Sequence, residues 1–170
     1  MKKTILCTLG LLLIASCGHK NQEMDRDEML DSIEQMQERV PQTAITANAT
    51  TAAQMVEMYN RFATTFPDDS LAPVFMLRAA EIDINIGNFE QAISLLDSVI
   101  NLYPGFEDIA GCQFMKGWAY EQNQQYDLAR EAYTEFVSNY PDHFLASDTR
   151  KMLPYIGMTP EETLEATREN

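Results

Sequence analysis

Three cysteines and two histidines are the side chains in this sequence with the most reactive potential. A nucleophilic or metal site needs such groups beside a base or further ligands. His19 and His143 each stand alone, and the sequence contains no HExxH motif, glycine-rich phosphate loop or GxSxG elbow. Asp68-Asp69 is the best oxygen cluster for a metal, but helix capping is the commoner role of such a pair. The sequence therefore predicts no enzyme, no bound metal and no dissociable cofactor.

The first sixteen residues are typical of a secretory signal peptide. Lys2 and Lys3 provide a positive start, and a largely apolar run follows from residue 5 to residue 15. This run is too short for a membrane-spanning helix, which needs about 20 apolar residues. We therefore expect residues 1–16 to be removed.

The segment before the second cysteine carries a more specific signal. Ile14-Ala15-Ser16-Cys17 resembles the lipobox of bacterial lipoproteins. The resemblance implies that the Cys17 thiol accepts a diacylglyceryl group, that cleavage precedes Cys17, and that acyl chains hold the protein at the envelope. The alternative is an ordinary signal peptide with a chance cysteine. In the lipoprotein interpretation residues 17–24 form a tether, and the expected location is the outer membrane, facing the periplasm.

The charge balance limits the possible partners. The formal net charge is −14, and loss of Lys2 and Lys3 with the signal peptide would make it −16. Such a surface repels nucleic-acid phosphates and anionic lipid headgroups, so nucleic-acid binding is not expected. It favours a partner with a basic surface.

An internal repeat organises the rest of the chain. Phe66-Pro67, Tyr103-Pro104 and Tyr140-Pro141 follow one another at intervals of 37 residues. Since the matching positions before each proline fall at helical spacing, each proline should follow an amphipathic helix. Each interval has room for two helices, and no sustained strand pattern occurs. We predict an all-α repeat domain over 25–153, with units at about 25–67, 68–104 and 105–141, a capping helix over 142–153, and a tail over 154–170 containing a short helix.

The repeat resembles the tetratricopeptide repeat, a helix–turn–helix of about 34 residues. Ala80 and Ala92 occupy its two small positions in one unit, and Gly117 and Ala129 occupy them in the next. Small residues allow paired helices to approach closely. The resemblance implies a right-handed α-α superhelix of about seven or eight helices. The loops after the prolines resemble those of envelope proteins from the outer-membrane-assembly and Tol–Pal-associated subtype.

The same resemblance implies a binding groove lined by the first helix of each hairpin. Trp118 could anchor a partner there or could simply pack on the last helix, and Ile84 and Phe114 are residue types more often found in a core. The expected function is a protein–protein interaction scaffold; the alternative is binding of a small envelope ligand, such as a peptidoglycan fragment or glycan. The groove positions are Leu77, Glu81, Ile84, Asn85, Phe114, Trp118, Glu121, Gln122, Lys151 and Tyr155.

Overall fold

The computed structural model describes residues 24–40 and 48–168 of the chain. The predicted signal peptide (1–16), the lipidation site Cys17 and most of the tether lie outside these residues. The described part contains helices and no strand, which confirms the predicted all-α fold. Its eight α-helices are α1 (Arg26–Arg39), α2 (Ala49–Thr65), α3 (Ala72–Asn85), α4 (Phe89–Leu102), α5 (Ile109–Gln122), α6 (Tyr126–Asn139), α7 (Ala146–Met152) and α8 (Pro160–Arg168), and a 3-10 turn spans Leu153–Tyr155.

The aromatic–proline pairs end the second helix of each unit, as the sequence predicts. Phe66, Tyr103 and Tyr140 are the C-cap residues, and each backbone N–H donates to the carbonyl oxygen four residues earlier at 2.9 Å. The following proline has no N–H to continue this pattern and disfavours a helical conformation in the residue before it. The loop after each proline then leads into the next hairpin.

The turns inside the two central hairpins use left-handed backbone. Gly87 has φ 83° and Gln124 has φ 58°. The N–H of the next residue, Asn88 or Gln125, donates to the carbonyl oxygen five residues earlier, at 2.7 and 2.9 Å respectively. This is the hydrogen bond that closes a helix end through a left-handed residue. Glycine adopts this conformation without strain, whereas Gln124 does so at some cost.

Successive helices from α2 to α6 pack against one another in chain order. Ala80, Ala92 and Ala129 are completely buried, and a Cβ added to Gly117 would lie 2.7 Å from the Tyr133 ring. The small positions therefore lie at helix contacts. Most of the core forms one cluster that runs from α1 to α5, and a smaller cluster around Ala129, Tyr133 and Ile156 continues it.

Helix α1 covers the start of the stack. Met29 and Ile33 are buried, and the Gln37 amide donates to the Tyr59 hydroxyl at 2.8 Å. The Asp25 carboxylate caps the helix by accepting from the Glu28 N–H at 2.9 Å. The apolar face of α1 is thus held against α2.

The C-terminal end differs in one respect from the sequence prediction. The sequence predicts a capping helix over 142–153, but α7 begins only at Ala146, because residues up to Leu145 form the turn after Pro141. Pro154 lies at the start of the following 3-10 turn, Leu153–Tyr155, where its missing N–H costs little.

Beyond this turn lies the short helix predicted in the tail, α8, which begins with a capping box. The Thr159 N–H donates to Glu162 Oε2 at 2.8 Å, and the Glu162 N–H donates to Thr159 Oγ1 at 3.3 Å. No residue of α8 is buried, so this helix is stabilised mainly by its own cap. None of the helices in the described residues is both long and apolar enough to cross a bilayer.

Candidate functional site

None of the predicted groove positions of the second hairpin is buried. Phe114, Trp118 and Glu121 recur at intervals of four and three residues, which places them on one face of α5. Trp118 is 38% exposed, whereas the Phe114 ring is half-buried and packs on Tyr133 and Phe136, with ring centroids 5.4 and 5.5 Å apart. Phe114 therefore supports this face from beneath, and Trp118 is available at the surface.

Glu121 is fixed at the edge of this face by a buried tyrosine. The Tyr133 hydroxyl donates to Glu121 Oε2 at 3.0 Å. Burial of the ring and the neighbouring Glu121 charge both raise the pKa of Tyr133, so its proton stays in place. Gln122 lies next in sequence and is exposed. This hydrogen bond leaves the remaining lone pairs of Glu121 open to a donor from a ligand.

The equivalent positions of the first hairpin are more enclosed. Leu77 and Ile84 are only 8% and 5% exposed, so the structure places them in the core and not on an open surface. Both are predicted partner-binding residues, and both belong to the main core cluster, in which α3 packs against α2 and α4. Glu81 and Asn85 remain exposed, and the Asn85 amide donates to the Glu81 carbonyl oxygen at 2.7 Å.

Glu81 lies beside the beginning of α5. Desolvation raises the pKa of its carboxyl group, Arg78 opposes this shift, and the negative charge of Asp108 adds to it. The same two carboxylates help burial to raise the pKa of the Cys112 thiol to about 12. Cys112 is completely buried, as a lone apolar cysteine would be, and its thiol is held in the unreactive protonated form. Trp118 lies further along the same helix, towards its C-terminal end.

The last two predicted positions lie near the C-terminal end of the stack. Lys151, on α7, is exposed and forms an ion pair with Asp148, with Nζ 2.8 Å from Oδ1. Tyr155 lies in the 3-10 turn and is half-buried. Both residues follow α5 and α6 in the chain. Lys151 is already paired with an anion, so it is less available to a partner.

The predicted groove positions include exposed side chains on α3, α5 and α7. Within residues 24–40 and 48–168, no group of three His, Cys, Asp or Glu side chains is placed to hold a metal ion. The sequence did not identify the Glu121–Tyr133 hydrogen bond, although the twelve-residue separation of these two residues equals that of the small pair Gly117 and Ala129. That equal spacing across one hairpin was the signal available.

Comparison with known families agrees with the repeat geometry. The tetratricopeptide repeat model matches residues 75–105 and 112–143. Each match begins in the first helix of a hairpin and ends in the loop after the second helix. The hairpins α3–α4 and α5–α6 are therefore similar to tetratricopeptide repeats, modules that stack to form extended concave binding surfaces. A search of curated proteins gives no match to the chain.

Proposed function

We propose that this protein is a lipid-anchored scaffold of the bacterial envelope, whose helical hairpins hold another envelope protein. The repeat match supports an interaction role, since tetratricopeptide hairpins form surfaces for protein–protein contact. The sequence of residues 1–17 supports the compartment: a signal peptide followed by acylation of Cys17, with the repeat domain facing the periplasm from the outer membrane.

The exposure of Trp118 is the observation that carries the binding proposal. Trp118 is 38% exposed on the first helix of a repeat-like hairpin, so part of its ring is available to a ligand. Tryptophan is favoured at the centre of protein interfaces because it buries much area at a small entropic cost. A peptide or helix inserted beside α5 would cover the ring and meet the Glu121 carboxylate.

The proposed partner is basic. The chain carries a formal net charge of −14, and the face around Trp118 includes a carboxylate that no cation of the described residues neutralises. Complementary charge increases the association rate and disfavours acidic competitors. Binding should therefore weaken as salt concentration rises.

Affinity purification of the lipidated protein from its own envelope tests the scaffold role. We expect recovery of a protein with a basic surface, and reduced recovery with Trp118→Ala. Leu128→Ala is the matched control, because Leu128 is 43% exposed but lies on α6, the second helix of the hairpin. Equal recovery with both variants would contradict a binding role for Trp118.

Trp118 also provides a test between the two candidate ligands. Because it is the only tryptophan in the chain, its emission reports directly on this face. A change on adding the purified protein partner supports the scaffold. A change with muropeptides or glycans, and none with the protein, would instead support the small-ligand alternative, since an exposed ring can also stack on a sugar.

The mass of the mature N-terminal peptide tests the anchor independently. We expect the peptide to begin at Cys17 and to carry diacylglyceryl and acyl groups. An unmodified N-terminus at another residue would refute the lipoprotein proposal and would leave the binding proposal untouched.

A further inference from the structure

A cleft separates the loops that precede α3 and α5. Its volume is about 650 Å³, within the range of about 300–1,000 Å³ that is usual for ligand-binding clefts. Pro73 and Val74 line one wall, and Leu102 and Phe106 line the other. The cleft was not among the surfaces predicted from the sequence.

A hydrogen bond connects the two loops that form the walls. The Tyr103 hydroxyl donates to the Pro67 carbonyl oxygen at 2.9 Å and so ties the second loop to the first. The loops share the same internal turn: in each, the second residue after the proline donates its N–H to the carbonyl oxygen of the aromatic residue before the proline, at 3.0 and 2.9 Å. The cleft is therefore built from ordered loops.

Leu102 provides an uncovered apolar surface at this cleft. It is 67% exposed, although it is the last residue of α4, whose apolar face is buried. Exposure of a single leucine is common, but here it accompanies a concave surface with apolar residues on both sides. A bulky aliphatic side chain from a partner could pack against Leu102 and be removed from water.

The charged groups at the cleft are all carboxylates. Asp69 is already neutralised, because it pairs with Arg26 and accepts from the Leu71 N–H. Asp68 and Glu107 come from opposite loops, are exposed, and have no ion-pair partner among the described side chains. The Asp68 charge lies close enough to Tyr103 to help burial raise the pKa of that hydroxyl group. The cleft thus presents two uncompensated negative charges around an apolar centre.

We propose that this cleft is a second docking site, which takes a short extended segment of a partner protein with one bulky aliphatic residue between lysine or arginine residues. The aliphatic side chain packs on Leu102 and Val74. The flanking cations pair with Asp68 and Glu107. This site is separate from the face around Trp118, and its existence does not depend on the groove proposed above.

Fluorescence anisotropy with the full mature protein tests this inference. The probe is a fluorescein-labelled Gly-Lys-Leu-Lys-Gly peptide, compared with Gly-Lys-Ser-Lys-Gly and Gly-Glu-Leu-Glu-Gly carrying the same label. We expect the lysine–leucine peptide to bind more tightly than both others, and its affinity to fall as salt concentration rises.

Two cleft variants and their matched controls locate the peptide. Leu102→Ser and the double change Asp68→Asn with Glu107→Gln should each weaken binding by about tenfold, or about 1.4 kcal/mol. Leu128→Ser, and Asp142→Asn combined with Glu131→Gln, remove the same groups elsewhere and should leave binding unchanged. Asp142 is a stringent control because it holds the place of Asp68 in the third loop.

Three results would overturn the inference. One is no binding of the lysine–leucine peptide up to about 1 mM, the weak limit of specific recognition. Another is equal weakening by the cleft and control variants, which would show general attraction to an acidic surface. The third is loss of binding with Trp118→Ala but not with Leu102→Ser, which would place the peptide in the groove instead.

Discussion

Gly117 gives the sharpest test of how closely the helices of the second hairpin pack. A Cβ at this position would lie 2.7 Å from Tyr133 Cδ1 and 2.8 Å from Cε1, well inside the optimum of about 3.5–4.0 Å for two carbon atoms. The ring has little freedom to move away. It is completely buried, its hydroxyl group is bound to Glu121, and one side packs on Phe114.

The size of the effect follows from two opposing terms. Overpacking of a well-filled core typically costs about 1–3 kcal/mol. Alanine is favoured over glycine inside a helix by about 1 kcal/mol, which offsets part of this cost. Because the clash is with a pinned ring, we expect Gly117→Ala to reduce the free energy of unfolding by about 1–2 kcal/mol, and the Tm by about 2–8 °C.

Gly111 is the matched control on the same helix. A Cβ added there would meet only the Asp108 carboxylate, the end of an exposed side chain that can rotate away. Gly111→Ala should therefore be neutral or stabilising by up to about 1 kcal/mol. Urea unfolding followed by circular dichroism measures both variants.

A rescue variant isolates the contact itself. Combined with Tyr133→Leu, Gly117→Ala should cost less than it does alone, because the smaller side chain leaves room for the methyl group. Equal stability of Gly117→Ala and Gly111→Ala would refute the close approach of α5 and α6 at this position. Strict additivity of Gly117→Ala and Tyr133→Leu would refute Tyr133 as the cause.

Three further predictions concern other sites. Burial raises the pKa of Asp83 above 3.8 and leaves its Oδ2 unpaired. The contribution of this carboxyl group to stability is therefore complete below pH 3.8 and is lost as pH rises through the folded-state pKa. Asp83→Asn should remove this pH dependence, and in urea titrations it should give the more stable protein above that pH. With its pKa raised to about 12, Cys112 should resist iodoacetamide in the native protein at pH 8 and react after denaturation, as peptide mass mapping would show; native labelling would contradict its burial. Thr159→Ala should speed amide hydrogen exchange of residues 161–168 by destabilising α8 by about 0.5–2 kcal/mol, without changing the unfolding midpoint of the stack.

Helix boundaries were predicted well because local signals determine them. The ends of α4 and α6 agree with the prediction, since an aromatic–proline pair follows each helix. The small positions were predicted from the resemblance to the tetratricopeptide repeat, in which a separation of twelve residues brings them together across one hairpin. The start of α7 was missed because Phe144 and Leu145 look like the first turn of a helix but belong to the loop turn.

The cleft could not be predicted, because it depends on two loops that are far apart in the sequence. The hydrogen bond between Tyr103 and Pro67 joins residues 36 positions apart, and the sequence of neither loop indicates this contact. Exposure of Leu102 has a similar origin. Its spacing from Val99 is compatible with either burial or exposure, and only the placement of the next hairpin decides between them.

At the groove positions, the exposure of a side chain depends in some cases on its place in the repeat and in others on its residue type. Ile84 and Glu121 are equivalent in the two units, yet the isoleucine is 5% exposed and the glutamate is half-buried, because only the apolar side chain gains by entering the core. Glu81 and Trp118 are also equivalent, and both are exposed although one is charged and the other aromatic. When such different residues share the same exposure, backbone register is the common cause. Trp118 is therefore held at the surface by its place in the repeat, which strengthens the case that a partner covers it.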